Sequence, residues 1–239
     1  MAQPNRALQG AAAAGGQPRA KARGSEGETH SGSASTLIIL TRYPVPGRVK
    51  TRLIPALGAE RAAALHGELA RLTLAAAREA RASAGCAVEV HHDGGDVAAM
   101  AAWLGDDVAF EPQVDGDLGR RLRYAAESAL ARRPGRVVLV GSDCPQLEAR
   151  HLVDAFAALA TSGVVLGPAR DGGYYLIGLS RSAPELFDGI PWGTDRVLAR
   201  TLEVIRSTGC SVLLLDPLAD IDEPDDLRIL PDALAGYRS

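Results

Sequence analysis

Arg42, Arg48, Lys50 and Arg52 crowd four positive charges into the bend RYPVPGRVKTRL, residues 42–53, just past the apolar run TLIIL at 36–40. Such a cluster at the tip of a buried strand suits an anion, and phosphate is the anion that a mix of lysine and arginine grips best. Lys50 stands out because the chain has only one other lysine, Lys21, among its 26 basic residues. A compact ammonium makes a point contact with phosphate, whereas arginine offers a planar fork. Gly47, close to Pro44 and Pro46, lets the backbone approach an anion. The spacing is not that of a P-loop, and a solvated loop with its charges facing water is the plain alternative.

The acids tell a complementary story. Asp143, in VVLVGSDCPQL, follows a strand expected to be buried on both faces, where a carboxylate without a partner is costly. A capping role for the helix near 148–160 is the alternative, but the spacing is long for a cap. In DIDEPDDL, Pro224, Asp225 and Asp226 suit the first turn of a helix. Asp220 and Asp222 precede that turn, and their i, i+2 spacing turns both to one side of an extended segment. Hard oxygen donors of this kind, with Asp143 across the rim, suit Mg²⁺ or Mn²⁺ together with phosphate oxygens. Asp222 is the stronger candidate of the two.

Gly172 and Gly173 in GPARDGGYYLIGL either make a tight turn or clear room for a ligand, which Asp171 and Tyr174 would then face. Asp117 opens a helix in VDGDLGRRL, where capping and ligand binding both fit. Thr194 is expected to cap the helix of 195–207, with Trp192 either a stacking face or core. No histidine has a recognisable relay: His66 and His151 fall in helical runs, His91 and His92 end a strand, and His30 lies near the amino end. Ser142 lacks a G-x-S-x-G elbow, which disfavours serine hydrolase chemistry.

These residues must be positioned by the elements between them. From Thr36 onward, seven short β-rich runs alternate with helical ones, the pattern of an α/β fold with a mixed, mostly parallel sheet between helices. The short link in GVVLGPARDGGYYLIGL leaves no room for a crossover helix and implies an antiparallel pair. In open α/β sheets ligands lie beyond the carboxyl ends of the strands. The basic bend, SDCPQL, ARDGGYY and DIDEPDDL each follow an apolar run, so they are expected to share one rim.

Composition bounds the rest. At 239 residues, 46% hydrophobic and 23% charged, the chain fits one globular domain over 35–239. Residues 1–34, rich in Ala, Gly, Pro, Ser and Arg without a hydrophobic period, are expected to be a disordered tail, with an organelle transit peptide as the alternative. A formal net charge of −3 argues against a nucleic-acid or anionic-membrane surface. The three cysteines lack paired or metal spacing and suggest a reduced, cytoplasmic setting. No apolar stretch approaches the length of a membrane span.

In the order TRYPVPGRVKTRL, GDLGRRL, VGSDCPQL, LGPARDGGYYLIGL, IPWGTDRVL and DIDEPDDL, the motifs resemble a family of GT-A-like transferases that includes radical-SAM/selenodomain-associated transferases and arsenosugar biosynthesis glycosyltransferases. The resemblance covers about 37–230. More distantly, the first and last motifs are similar to those of 2-phospholactate guanylyltransferase and the molybdenum cofactor nucleotidyltransferases. It implies a nucleotide-diphospho-sugar transferase fold. It also implies a metal-dependent reaction on a nucleotide sugar or, alternatively, a nucleoside triphosphate, with a small-molecule acceptor; a non-catalytic nucleotide-binding module is a further alternative. The implied roles are phosphate contact for Arg48, Lys50 and Arg52, and metal binding for Asp143 and Asp222. The chain departs from the pattern with SDC in place of a D-x-D pair and Glu223 in place of a frequent threonine cap.

Overall fold

Seven apolar runs become seven strands of one sheet: β1 (Ala34–Arg42), β2 (Cys86–Asp93), β3 (Ala109–Pro112), β4 (Gly135–Gly141), β5 (Val164–Pro168), β6 (Tyr174–Leu179) and β7 (Val212–Leu214). The computed structural model describes residues 34–238, so the tail expected over 1–34 lies outside the described residues except for Ala34, which opens β1. The strand order is β3-β2-β1-β4-β6-β5-β7. Only β6 runs antiparallel to its neighbours, β4 and β5. Residues 169–173 turn β5 directly back into β6, as the short glycine-rich link requires.

The helices are α1 (Ile54–Leu57), α2 (Ala59–Ala84), α3 (Val97–Leu104), α4 (Leu118–Arg132), α5 (Ala149–Ala158) and α6 (Val197–Thr208). α3 was not expected from the sequence, because its apolar run is short and its periodicity weak. Its start is nevertheless marked by Asp96, whose side chain accepts from the Ala99 amide at 2.8 Å.

The central strands alternate apolar residues between two buried faces. Leu37, Ile39, Val138 and Val140 pack with residues of α2, α3 and α5, while Ile38, Val137 and Leu139 pack with α4 and α6. Such double coverage explains the continuous apolar runs. A third cluster lies apart from the sheet and joins Leu53, Leu57, Leu65 and Leu69 to Ile221, Leu227, Leu230 and Leu234. It docks the carboxyl-terminal segment onto the start of α2, and so brings that segment beside the bend that follows β1. Among the described residues no helix is long and apolar enough to cross a membrane.

Candidate active site

Lys50 is the one described non-glycine residue with a positive φ, 46°. Left-handed backbone costs a lysine about 1–2 kcal/mol, so its neighbours must hold it there. Val49 and Leu53 do so, being 2% and 0% exposed, and the Leu53 amide donates to the Lys50 carbonyl at 2.9 Å. The bend before it closes with the Arg48 amide on the Val45 carbonyl at 3.0 Å, which requires the positive φ of 80° that Gly47 supplies.

The Lys50 side chain runs inward and is only 4% exposed; its Nζ lies 2.6 Å from Asp143 Oδ1 and 3.5 Å from Asp222 Oδ1. Asp143 stands just beyond β4. Its Oδ1 is sealed from solvent, while the side chain as a whole is 44% exposed and opens to the cavity. The backbone of the late acidic segment is fixed to the same place, because the Ile221 amide donates to the Asp143 carbonyl at 3.0 Å. Asp226 fixes the other side by accepting from the amides of Asp222 and Glu223 at 2.9 and 2.7 Å. Asp226 is thus structural, as its place in the first turn indicated. The lack of a threonine at 223 is made good by a capping box between Glu223 and Asp226.

Burial alone would push the Asp143 carboxyl up, but the Lys50 charge and His66 outweigh it and hold the group well below the usual carboxylate range. Burial likewise opposes the Lys50 charge, and Asp143, followed by Asp222 and Asp220, holds the ammonium above its ordinary value. Asp220 behaves in the opposite way. Burial and the nearby charges of Asp171 and Asp222 push it up to about 6. Burial also pushes the Cys144 thiol far up, with the acids around it adding to the effect, so that it is inert at neutral pH.

The cavity over these groups measures about 660 Å³ and is lined by three permanent cations, Arg42, Lys50 and Arg121, against five carboxylates, Asp117, Asp143, Asp171, Asp220 and Asp222. Its aromatic wall is Tyr174 and Trp192, packed edge to face with centroids 6.1 Å apart. Gly119 is needed beneath that wall, since a Cβ there would stand 2.3 Å from Trp192 Nε1.

Not every expected residue meets the cavity. Arg42, Lys50, Asp117, Asp143, Asp171, Gly173, Asp220 and Asp222 line it. Arg52 instead pairs with Asp222 at 2.9 Å and with Glu223 at 3.8 Å, so its charge is spent on the acids. Arg48 and Gly47 are exposed on the bend and do not line the cavity. Gly172 does not clear room for a ligand: a Cβ there would meet the Asp195 carbonyl at 2.2 Å, and its own carbonyl accepts from the Leu198 amide at 2.9 Å. Asp117 caps α4 by accepting from the Arg120 amide at 2.8 Å. Thr194 accepts from the Arg196 amide at 3.3 Å, but α6 begins later than expected, at Val197.

Sequence reasoning missed a polar layer beneath the cavity. His66, on the buried face of α2, places Nε2 3.0 Å from the Arg42 carbonyl and Nδ1 3.8 Å from Asp143 Oδ1. Thr41 and Ser142 join their hydroxyls at 3.0 Å across the ends of β1 and β4. Gln113 donates to the carbonyls of Thr41 and His91 at 3.0 and 2.8 Å and accepts from Arg121 at 3.1 Å. Arg121 in turn pairs with Asp93 at 2.7 Å, which lowers that carboxyl below its usual range. One signal for His66 was available: a histidine among Ala62, Leu65 and Leu69 on an apolar helix face has a buried polar ring to satisfy.

Comparison with known proteins agrees with this architecture. A search of curated proteins returns no match. Residues 73–194 match the DUF2064 family, described as uncharacterized proteins conserved in bacteria. A solved structure of a candidate nucleotide-diphospho-sugar transferase from Desulfovibrio desulfuricans G20 is 34% identical, with 83% of this chain and 87% of that one covered and a TM-score of 0.75. Two remoter structures share the fold. CMP:2-keto-3-deoxy-manno-octonic acid synthetase, solved with CTP, is 13% identical over 85% of this chain and 98% of its own, with a TM-score of 0.52. The 4-diphosphocytidyl-2C-methyl-D-erythritol synthase of Anaerococcus prevotii DSM 20548 is 10% identical over 87% of this chain and 97% of its own, with a TM-score of 0.56. The transferase class expected from the sequence is the class for which the Desulfovibrio protein is named. The match across half the sequence, and the close agreement with the Desulfovibrio structure, place the chain in the DUF2064 family, with the fold of the nucleotide-diphospho-sugar transferases.

Proposed function

We propose that the protein is a metal-dependent glycosyltransferase that takes a nucleoside diphosphate sugar as donor and passes the sugar to a small-molecule acceptor. The observation that carries this reading is the meeting of Lys50, Asp143 and Asp222 at the carboxyl ends of β1 and β4, where α/β folds bind their ligands. The 34% identical Desulfovibrio protein, named for nucleotide-diphospho-sugars, supports the donor class.

The residues fit a divalent ion. Carboxylates outnumber cations in the cavity, so a diphosphate would meet net repulsion unless a further positive charge came with it. Asp220, pushed up to about 6 by burial and then by Asp171 and Asp222, lies within that crowd of acids. Asp143 and Asp222 would hold the ion, with Asp220 behind them. Mg²⁺ and Mn²⁺ accept one or two carboxylates and take their other ligands from water and phosphate, so the absence of a three-ligand cage among the described residues is no obstacle. The ion would supply Lewis-acid stabilisation of the leaving diphosphate.

The chain's own groups do the remaining work. Lys50 and Arg42 face the negative charge that builds on the diphosphate as the bond from the anomeric carbon to its oxygen breaks. The acceptor hydroxyl forms the new bond to that carbon, and its proton passes to Asp171, the nucleoside diphosphate being the other product. Asp171 is oriented by the Gly173 amide, which donates to Oδ1 at 2.8 Å. Gly173 leaves the floor of the cavity open at that point. A cytoplasmic setting fits three cysteines that carry no disulfide.

Incubation with a panel of nucleotide sugars and nucleoside triphosphates in Mg²⁺ or Mn²⁺ tests the reading. Release of a nucleoside diphosphate is expected. Release of pyrophosphate from a triphosphate would replace glycosyl by nucleotidyl transfer, and binding without turnover would reduce the protein to a nucleotide-binding module.

A further inference from the structure

We propose that Lys50 is the resident counter-ion of Asp143 and Asp222, so that a divalent cation enters the pair effectively only when a diphosphate draws the ammonium away. The inference rests on the metal-dependent reading above and adds an order to it: cation and diphosphate load together, each making room for the other.

Lys50 Nζ contacts the same two carboxylates that would ligate the ion, at 2.6 and 3.5 Å, and its side chain is 4% exposed. An ammonium and a divalent cation sharing those oxygens repel one another at short range, in a pocket where water screens poorly. The backbone of Lys50 is pinned in a left-handed conformation, but the rotatable bonds of its four-carbon stem would let a phosphate draw the charge across. A second polar group is aimed at the oxygen that Lys50 would release. His66 Nδ1, on a side chain 6% exposed, lies 3.8 Å from Asp143 Oδ1 and has no hydrogen-bond partner among the described residues. Arg52, which also contacts Asp222, is 63% exposed and competes less because its charge is hydrated.

The test is protein-bound Mn²⁺, measured by equilibrium dialysis against a protein-free chamber of the same composition, with the metal alone and with inorganic pyrophosphate. Lys50→Gln is expected to bind Mn²⁺ alone about 10-fold more tightly than the wild type, a factor within the usual range of coupling between two ligands. Lys50→Arg, which keeps the charge, is expected to match the wild type. Pyrophosphate should tighten Mn²⁺ binding to the wild type, and by a smaller factor in Lys50→Gln. Should Lys50→Gln fail to fold, Lys50→Met supplies a second neutral side chain of similar length, read by the same Mn²⁺ dialysis. Equal affinity of the neutral and charged forms for Mn²⁺ alone would overturn the counter-ion role while leaving a metal-dependent transferase intact. A wild type that takes up no Mn²⁺ with or without pyrophosphate would overturn the metal-dependent reading itself.

Discussion

Leu53 and Ile221, both 0% exposed, meet in one apolar cluster, and each sits one residue from a charged group of the candidate site, Arg52 in one case and Asp220 and Asp222 in the other. The contact joins the first and last functional segments of the described chain. Electrostatics then needs to act only over the few ångströms between Lys50 and the acids.

Leu53→Ala should therefore cost about 2–5 kcal/mol of stability, the range for emptying a packed leucine site. Chemical denaturation measures the loss. Binding of a nucleoside diphosphate by the protein still folded should weaken as well, because the bend loses its anchor. A variant as stable as the wild type would remove the cluster from this role.

Asp143→Asn should lower turnover by about 100-fold or more, the scale seen when a preorganised electrostatic group is lost from a transition state. Steady-state rates with the active donor measure it, with circular dichroism as a check on folding. Wild-type turnover in this variant would displace Asp143 from the metal site.

Asp220 gives a pH dependence whose sign follows from its raised value of about 6. A carboxyl that titrates higher in the folded than in the unfolded protein favours folding when protonated. That contribution is complete below the unfolded value, about 3.9, and is lost as pH rises through about 6. Asp220→Asn should hence raise the melting temperature at pH 7.5 and change it less at pH 4. An equal shift at both values would contradict the crowding of acids around this residue.

Asp143 opposes that trend at the acid extreme, and Lys50 follows it at the alkaline one. Asp143, held low, contributes stability that is present above about pH 4 and is lost as the solution is acidified further. Lys50, held high, contributes stability present below about pH 10.4 and lost as pH rises beyond it. Lys50→Met should flatten the alkaline limb of a melting curve measured against pH.

Much of this arrangement was legible in the sequence, and the reason differs by element. The central strands follow from apolar runs, because a sheet covered on both faces there leaves little polar alternation to mislead, while the exposed edge strands β3 and β7 follow from short β-rich runs between helices. The antiparallel return of β6 follows from a link too short for anything else. The meeting of Lys50, Asp143 and Asp222 follows from the rule that strand ends share a rim, though none of the three is near another in the chain. What escaped depends on side-chain direction. The scarcity of lysine singles out Lys50 in RVKTRL, but nothing there shows that it turns inward while Arg48 and Arg52 turn outward until the left-handed backbone at Lys50 is known. His66 escaped because its partners, the Arg42 carbonyl and Asp143, come from other elements. Gly172 and Gly173 look alike in sequence, yet one packs against Asp195 and the other lines the cavity.

The central claim is that Lys50, Asp143 and a divalent ion hold a diphosphate together. Equilibrium binding of nucleoside diphosphates, measured calorimetrically with Mn²⁺ and then with chelator, tests it most directly in the wild type, Lys50→Ala and Asp143→Asn. Binding that requires Mn²⁺ and weakens at least about 10-fold in both variants, or about 1.4 kcal/mol, is the expected result. Binding equally tight in chelator, or unchanged in both variants, would contradict it.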